Sequence, residues 1–207
     1  IVMIRKGGLF LIHGKTRMMV EGTIIAALAM VLSFIPTNIG ASFTISLGQI
    51  PIVIYALRRG LKPALLASFV WGILHFPLGQ IYFLSVPQVL IEYLLAYLFA
   101  GFAGLFAYRL HQAIREGRTN QTIHILILAS LVSAFTRFFW HFVAGWIFWG
   151  QYALWGMSPV IFSLTMNGLS GLATGIVTSI AVVLLYKVMP RVFLVDSSVQ
   201  LEQKTNG

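Results

Sequence analysis

Polar side chains stand inside stretches of this chain that are otherwise apolar, and their types are those that bind ligands or catalyse reactions. The clearest cases are Glu92, Arg137, His141 and Asn167. A carboxylate, a guanidinium, an imidazole and an amide supply charge and directional hydrogen bonds. Because burying such groups among lipid tails is costly, they usually face the interior of a helix bundle and mark a functional site.

Each of these side chains also has a purely structural interpretation. Glu92 could pair with Arg137 to hold two helices together, and buried ion pairs are weak evidence of function. His141 could bond a helix carbonyl, and Asn167 could join two helices through its amide. The functional interpretation therefore depends on whether side chains from several elements meet at one place.

The composition indicates that these elements are membrane helices. Of the 207 residues, 58% are hydrophobic and only 9% are charged, whereas soluble domains carry about 25% charged residues. A full crossing needs about 20 apolar residues, so we expect the two short segments, the second and third, to be tilted or to cross only in part. The sequence predicts an all-α integral membrane protein, a six-helix transmembrane bundle, with apolar segments at 18–35, 47–57, 63–76, 86–108, 123–148 and 159–188.

The basic residues predict the orientation of this bundle. Apart from Arg137, the 14 Lys and Arg residues lie at four places: before the first segment, between the second and third, between the fourth and fifth, and from the last residues of the sixth segment onward. Because cytoplasmic loops carry an excess of Lys and Arg, we predict that both termini are cytosolic. The predicted divisions are a cytosolic N-terminal segment at 1–17, a membrane domain at 18–188 and a cytosolic tail at 189–207.

Several functional classes are disfavoured by what the sequence lacks. The net charge of +9 comes from basic residues that lie in short clusters between the apolar segments. This distribution indicates membrane topology and does not indicate nucleic-acid binding. There is no cysteine, which excludes disulfides and thiolate metal sites, and we expect no metal site or cofactor. The ATPase motif GxxxxGK[ST] is absent, as are HExxH and GxSxG, so we do not expect an enzyme.

Four side chains from four segments lie at a similar depth below the outer surface. With a helix rise of about 1.5 Å per residue, Glu92 and Trp71 lie about 9 Å from the outer ends of their segments. His141 and Asn167 lie about 12 Å from theirs by the same measure. If these side chains face inward, they line one pocket that opens to the outside.

The fifth segment presents its polar side chains on one face, because four-residue spacing relates Arg137, His141, Gly145 and Trp149. We expect Gly145 to leave space beside His141 for a flat ligand. One carboxylate without a nearby outer base indicates a cationic ligand, and aromatic faces attract cations. The predicted ligand is a flat, cationic, nitrogen-rich heteroaromatic molecule, and thiamine has these properties.

Four stretches of the chain resemble a known family. They are GQIPIVIYALRRGLKPALLASFVWGIL, PQVLIEYLLAYLFAGFAGLF, RFFWHFVAGWIFWGQYA and SLTMNG. Together they closely resemble the thiamine-specific S component, the substrate-binding subunit of energy-coupling-factor transporters, over residues 27–185. The resemblance implies six helices, cytosolic termini, a thiamine site near the outer face of the bacterial cell membrane, and a lid formed by the first outer loop. It also implies two kinds of partner, a membrane coupling subunit of the EcfT type and two cytosolic ATPase subunits.

The resemblance also implies which residues contact the substrate and the partner. Phe162 stands where the family pattern has a tyrosine, so one hydrogen bond to the ligand is missing here. Small residues of the first helix contact the coupling subunit in the family, and Thr23 and Ala27 have the matching spacing; close packing within the bundle explains such spacing equally well. Carried over by position, the substrate site comprises Glu92, Tyr93, His141, Trp149, Asn167, Trp71, Tyr82 and Phe162.

Three other functions are compatible with parts of this pattern. An S component for a different vitamin is the nearest. An intramembrane enzyme would use Glu92 and His141 as acid and base, and product formation without partner subunits would distinguish it. A channel would need a ring of charge or a repeated filter, and the sequence contains neither.

Overall fold

The protein is described by a computed structural model over residues 6–39 and 42–195. Within these residues the chain is mainly helical, with one short β-hairpin. One short 3₁₀ segment, Gly150–Tyr152, lies between the last two long helices, and another, Pro190–Phe193, follows the last of them. The main elements are α1 (Lys6–Ser33), β1 (Asn38–Ile39), β2 (Phe43–Thr44), α2 (Gln49–Arg59), α3 (Leu61–Leu74), α4 (Val86–Arg115), α5 (Thr119–Phe148) and α6 (Pro159–Val188).

Each predicted apolar segment coincides with one of these helices. Helices α2 and α3 are short, with 11 and 14 residues, as the sequence predicts. Helix α1 begins at Lys6 rather than near Met18, so part of the predicted N-terminal segment is helical. Four helical stretches of the described chain are long and apolar enough to cross a membrane: Gly14–Ser33, α4, α5 and α6. The class of all-α membrane protein is confirmed, while the number of crossings and the cytosolic termini stay predictions.

The hairpin between α1 and α2 is a feature that the sequence does not predict. Its two strands pair antiparallel. The Thr44 amide donates to Ser170 Oγ over 3.1 Å, and the Ser46 amide donates to Thr174 Oγ1 over 3.0 Å. Because backbone groups need partners wherever water is excluded, strand pairing and the α6 hydroxyls together hold this connection against α6.

Local signals in the sequence account for where the helices begin and turn. Gly60 has φ of 83°, a left-handed conformation that suits glycine, and it separates α2 from α3. Ser85 and Ser158 cap α4 and α6 by accepting hydrogen bonds from backbone amides, with a proline following in the first turn of each helix. Gly117, with φ of 68°, follows the end of α4 as a C-terminal glycine commonly does.

Helix α4 is not uniformly α-helical. It contains a π-helical turn over Leu90–Leu95 and a 3₁₀ stretch over Ala100–Phe106. In the 3₁₀ stretch a Cβ on Gly104 would lie 2.6 Å from the Leu61 backbone, and one on Gly101 would lie 2.7 Å from the Leu65 backbone. The glycines therefore allow α4 to approach α3 closely, and the π-helical turn falls on the residues around Glu92.

The side chains of the bundle interior form two apolar clusters. One gathers around Leu57, Leu110 and Phe193, and the other around Trp71 and Tyr97. Helices α5 and α6 pack against each other more extensively than any other pair. The second cluster contains aromatic residues that the sequence assigns to the site, so the site is part of the core.

Basic residues from separate parts of the chain meet at one end of the bundle. Glu21 of α1 forms ion pairs with Arg58, at 2.8 Å, and with Arg59. Arg58 Nη1 also donates to the carbonyl oxygens of Val192 and Leu194, over 2.8 and 2.6 Å. The α2–α3 connection, α1 and the segment after α6 therefore share one end, as the alternation of basic connections requires.

Candidate functional site

Glu92 joins α4 to the end of α5. Its Oε1 accepts a hydrogen bond from Trp149 Nε1 over 2.7 Å, and its Oε2 accepts one from the Gln88 side-chain amide. Glu92 lies in the π-helical turn of α4, and such turns are frequent at functional sites. The structure thus brings together two residues, Glu92 and Trp149, that the sequence placed in one site from different helices.

Gln88 is a residue that the sequence interpretation missed. Besides bonding Glu92, its Nε2 donates to the Tyr82 carbonyl over 3.0 Å, and its Oε1 accepts from the Leu84 amide over 3.1 Å. It is fully buried. Its position four residues before Glu92 was the available signal, since side chains at that spacing share a helix face. Gln88 therefore ties the connection after α3 to the carboxylate.

Tyr93 is buried beside Glu92 and also holds this connection. Its hydroxyl accepts a hydrogen bond from the Tyr82 amide over 2.9 Å, and its ring lies 5.7 Å from that of His75. The Tyr82 side chain is 75% exposed. Tyr82 thus contacts the cluster through its backbone, and the structure does not bring its ring to the other predicted residues.

His141 lies one turn from Arg137 on α5. Its ring centroid is 6.1 Å from that of Tyr97 and 5.5 Å from that of Phe138. Its Nε2 is buried and has no hydrogen-bond partner in the described part of the chain. The structural interpretation, a histidine bonded to a helix carbonyl, is therefore wrong for this nitrogen. A buried polar atom without a partner is costly, and a ligand is one way to satisfy it.

Asn167 is engaged within α6, and Gly145 has a different role from the one expected. Asn167 Nδ2 donates to the Ser163 carbonyl and hydroxyl over 3.1 and 3.2 Å, and Ser163 Oγ donates to the Phe142 carbonyl over 2.8 Å. A Cβ on Gly145 would overlap Ser163 Oγ and lie 3.3 Å from Asn167 Nδ2. The space expected beside His141 is thus filled by α6, because Gly145 is a point of close contact between two helices.

Arg137 does not pair with Glu92. Its guanidinium lies over the rings of Trp71, Tyr97 and Phe138, at 4.8, 4.3 and 5.2 Å from their centroids. Its Nη1 donates to Gln49 Oε1 over 3.3 Å. Arg137 forms no salt bridge among residues 14–39 and 42–195. The structural ion pair considered for Glu92 is therefore excluded.

Trp71 and Phe162 complete the predicted set as buried packing residues. Trp71 is fully buried, and its Nε1 donates to Ser33 Oγ over 3.2 Å. Its ring meets the Tyr97 ring edge to face, with centroids 4.6 Å apart. Phe162 is buried near the start of α6, with its ring centroid 5.8 Å from that of Trp155. Trp71 thus packs against Tyr97 and lies under the Arg137 guanidinium.

A histidine and a tyrosine outside the predicted set organise these aromatic rings. His75 Nδ1 lies 2.9 Å from the Trp71 carbonyl oxygen, and His75 Nε2 lies 2.9 Å from the Tyr97 hydroxyl. The Tyr97 ring in turn contacts Trp71 and His141. His75 stands inside the apolar segment 63–76, so the criterion that marked His141 was also available for it. Tyr97 carried no such signal, because its pairing with His75 joins the end of α3 to α4 across 22 positions.

Comparison with known proteins shows the family to which the chain belongs. The family model described as "Thiamine transporter protein (Thia_YuaJ)" matches residues 19–194. The chain belongs to this thiamine transporter family. The family predicted from the four stretches is thereby confirmed, and its relatives are named as transporters.

Individual members of the family are similar over nearly their whole length. The chain is 36% identical to Thiamine transporter ThiT of Lacticaseibacillus paracasei over 186 residues, which is 88% of this chain and 92% of that relative. It is 25% identical to ThiT of Bacillus subtilis over 183 residues, or 87% and 95% of the two chains. A solved structure of ThiT from Listeria monocytogenes superimposes with a TM-score of 0.86 at 41% identity, covering 88% of this chain and all of that one.

Gly22 and Ala26 of α1 have the same small-residue spacing as Thr23 and Ala27, and the two pairs have different environments. Gly22 and Ala26 are buried, and a Cβ on Gly22 would lie 2.8 Å from the Tyr55 hydroxyl. Thr23 and Ala27 are exposed on the outside of α1. The first pair therefore packs within the bundle, and the second lies on the exposed face of α1.

Proposed function

We propose that this chain captures thiamine at the outer face of the bacterial cell membrane, as the S component of an energy-coupling-factor transporter. The observation that carries the proposal is the Glu92 carboxylate, which is held by Trp149 over 2.7 Å in a bundle of the thiamine transporter family. A half-buried carboxylate beside an indole attracts an aromatic cation through charge and through the ring face. The thiazolium ring of thiamine is such a cation.

Five of the predicted residues have a direct role in binding the ligand in this proposal. Glu92 supplies the counter-charge or accepts from the amino group of the pyrimidine. His141, Tyr93 and Asn167 orient the pyrimidine by hydrogen bonds. Trp149 stacks on a ring of the ligand. Support for the histidine comes from its buried Nε2, which no group of the described chain satisfies.

The topology of the proposal is a six-helix bundle with both termini in the cytosol. Its support is the end of the bundle where Glu21, Arg58 and Arg59 meet the segment after α6. The connections at the opposite end, including the hairpin and residues 77–85, contain no Lys or Arg. With the positive-inside rule, the end with the basic residues is cytosolic and Glu92 lies nearer the outside.

We also propose that the side of α1 that faces away from the bundle contacts a partner. Thr23 and Ala27 are exposed there among large apolar side chains, including Ile24 and Leu28. Small residues let two helices approach closely within a membrane. We assign this face to the membrane coupling subunit, which would link the chain to two cytosolic ATPase subunits.

The test is a binding titration on the purified chain. Adding thiamine should change the tryptophan fluorescence saturably, because Trp149 bonds the residue that meets the ligand. A panel with a neutral vitamin such as riboflavin, and with thiamine phosphates, tests the class of ligand. Saturable binding of another vitamin with no response to thiamine would refute the substrate, and a chemical product formed by the chain alone would indicate an enzyme.

A further inference from the structure

We propose that Gln88 is a positioning residue for substrate binding. It holds the Glu92 carboxylate in the orientation that receives the cationic ligand, and it is itself held by the backbone of the connection between α3 and α4, residues 75–85. The affinity for thiamine then depends on that connection. The hydrogen bonds of Gln88 are independent of the proposed function, whereas their effect on affinity rests on it.

The Gln88 side chain is fully buried, and both ends of its amide are engaged. Its Nε2 donates to the Tyr82 carbonyl over 3.0 Å and to Glu92 Oε2, and its Oε1 accepts from the Leu84 amide over 3.1 Å. A glutamine amide has two N–H donors and one acceptor oxygen. Turned over, this amide would place its oxygen against a carbonyl and a carboxylate, and its NH₂ group against an N–H donor. The three partners therefore fix one orientation of the amide.

A helix cap explains only one of these bonds. Gln88 stands three residues after Ser85, whose hydroxyl accepts from the Gln88 backbone amide over 3.3 Å. In a capping box, the side chain at this position reaches back to the backbone N–H of the capping residue. The bond from Leu84 resembles that contact, one residue earlier. The bonds to Tyr82 and Glu92 lie outside this motif, and they join the cap to a residue of the proposed substrate site.

Tyr82 is the point at which α4 holds the connection. Its carbonyl accepts from Gln88 Nε2 over 3.0 Å, and its backbone amide donates to the Tyr93 hydroxyl over 2.9 Å. In the sequence, Gln88 and Tyr93 stand on either side of Glu92. A shift of the Tyr82 backbone would therefore disturb a hydrogen bond on each side of the carboxylate.

The carboxylate is thus oriented by groups from two helices. Trp149 donates to its Oε1 over 2.7 Å, and Gln88 donates to its Oε2. A carboxylate offers about four acceptor positions, so these two bonds leave capacity for a ligand. A side chain that becomes ordered only on binding lowers the affinity, and the bond from Gln88 orders Glu92 before the ligand arrives. Removing this bond should weaken thiamine binding by about 2- to 12-fold.

The experiment is a double-mutant cycle on thiamine affinity, measured by fluorescence titration of the full chain. Gln88→Met keeps a side chain of similar length without its hydrogen bonds, and it should raise the dissociation constant by about 2- to 12-fold. In Glu92→Ala there is no carboxylate to orient, so adding Gln88→Met should change the constant by less than about twofold. The matched control is the exposed Gln112, which bonds Tyr108 one turn earlier on the same helix. Gln112→Met should leave the affinity unchanged.

Two results of this cycle would overturn the proposal. One is an unchanged affinity in Gln88→Met. The other is an equal loss of affinity with and without the Glu92 carboxylate, because additive effects would show that Gln88 supports the fold rather than the carboxylate.

A second measurement needs neither a Gln88 variant nor thiamine. Hydrogen exchange of a peptide covering 77–85 reports on the backbone that Gln88 holds, and exchange in α6 serves as the internal reference. Glu92→Ala removes one of the three partners of Gln88, so exchange in this peptide should accelerate relative to α6 by about 2- to 12-fold. The exposed control Glu116→Ala should leave the ratio unchanged.

An unchanged ratio in Glu92→Ala would overturn the proposal, even if the thiamine affinity of this variant is too weak to measure. Accelerated exchange in Glu92→Ala, together with no thiamine binding by the native chain, would support the link between carboxylate and connection and refute the proposed function.

Discussion

The substitution Glu92→Gln tests the role of charge at the site with little change in shape. The glutamine Oε1 can still accept the hydrogen bond from Trp149 Nε1, which is 2.7 Å long in the structure. What is lost is the negative charge that would meet the thiazolium or accept from the amino group. Charge-assisted hydrogen bonds contribute about 1.5–3 kcal/mol, and each 1.4 kcal/mol is tenfold in affinity. We therefore expect the dissociation constant for thiamine to rise about 10- to 150-fold.

The assay is fluorescence titration with thiamine, accompanied by thermal unfolding. The new amide would place a second NH₂ group against Gln88, whose own amide donates to Glu92 in the native chain. The thermal midpoint therefore shows whether a loss of affinity is accompanied by a loss of folding. Glu116→Gln, which changes an exposed acid paired with Arg118, is the matched control and should leave thiamine affinity unchanged. An unchanged affinity in Glu92→Gln would remove Glu92 from the substrate site.

Three further substitutions test other contacts. Gly145→Ala should lower the free energy of unfolding by about 1–3 kcal/mol, because its Cβ would overlap Ser163 Oγ. The control Gly168→Ala should leave the free energy of unfolding unchanged, because its Cβ would meet nothing within 4 Å. Equal thermal midpoints of the two variants would contradict the packing role of Gly145. Ala27→Leu should prevent co-purification with the coupling subunit while thiamine affinity stays the same, and an intact complex would show that this face is not the contact. Phe162→Tyr should tighten thiamine binding by up to about tenfold if the new hydroxyl makes a hydrogen bond contributing about 0.5–1.5 kcal/mol, a gain that calorimetry would measure.

The helices could be predicted from the sequence, because their apolar residues form long continuous runs. The apolar runs locate helices α1 to α6 of the described chain to within a few residues at most ends, and the short lengths of α2 and α3 are visible in their runs. Helix rise converts sequence position into distance along the bundle, and it puts Glu92 at a depth similar to that of His141 and Asn167. The family resemblance, rather than depth, places Trp149 in one site with Glu92. Their observed hydrogen bond joins two helices that the sequence separates by 57 positions.

Features that depend on contacts between distant elements could not be predicted in this way. A glycine such as Gly145 can make space either for a ligand or for a neighbouring helix, and the sequence does not distinguish the two. The position of Ser163 in the structure shows that Gly145 makes space for a helix. The π-helical turn around Glu92 has no periodic signal over its six residues. The contact between His75 and Tyr97 requires α3 and α4 to approach closely. Gly72 allows this approach, because a Cβ there would overlap the Tyr93 backbone, and only the folded chain shows that Gly72 and Tyr93 face each other.

An experimental structure of the chain with bound thiamine would show whether the vitamin binds between Glu92, Trp149 and His141. We predict that a ring of the ligand stacks on Trp149, that its cation or amino group faces the Glu92 carboxylate, and that His141 Nε2 gains a hydrogen-bond partner. Thiamine bound elsewhere, or at this place with Glu92 still bonded only to Trp149 and Gln88, would contradict this prediction.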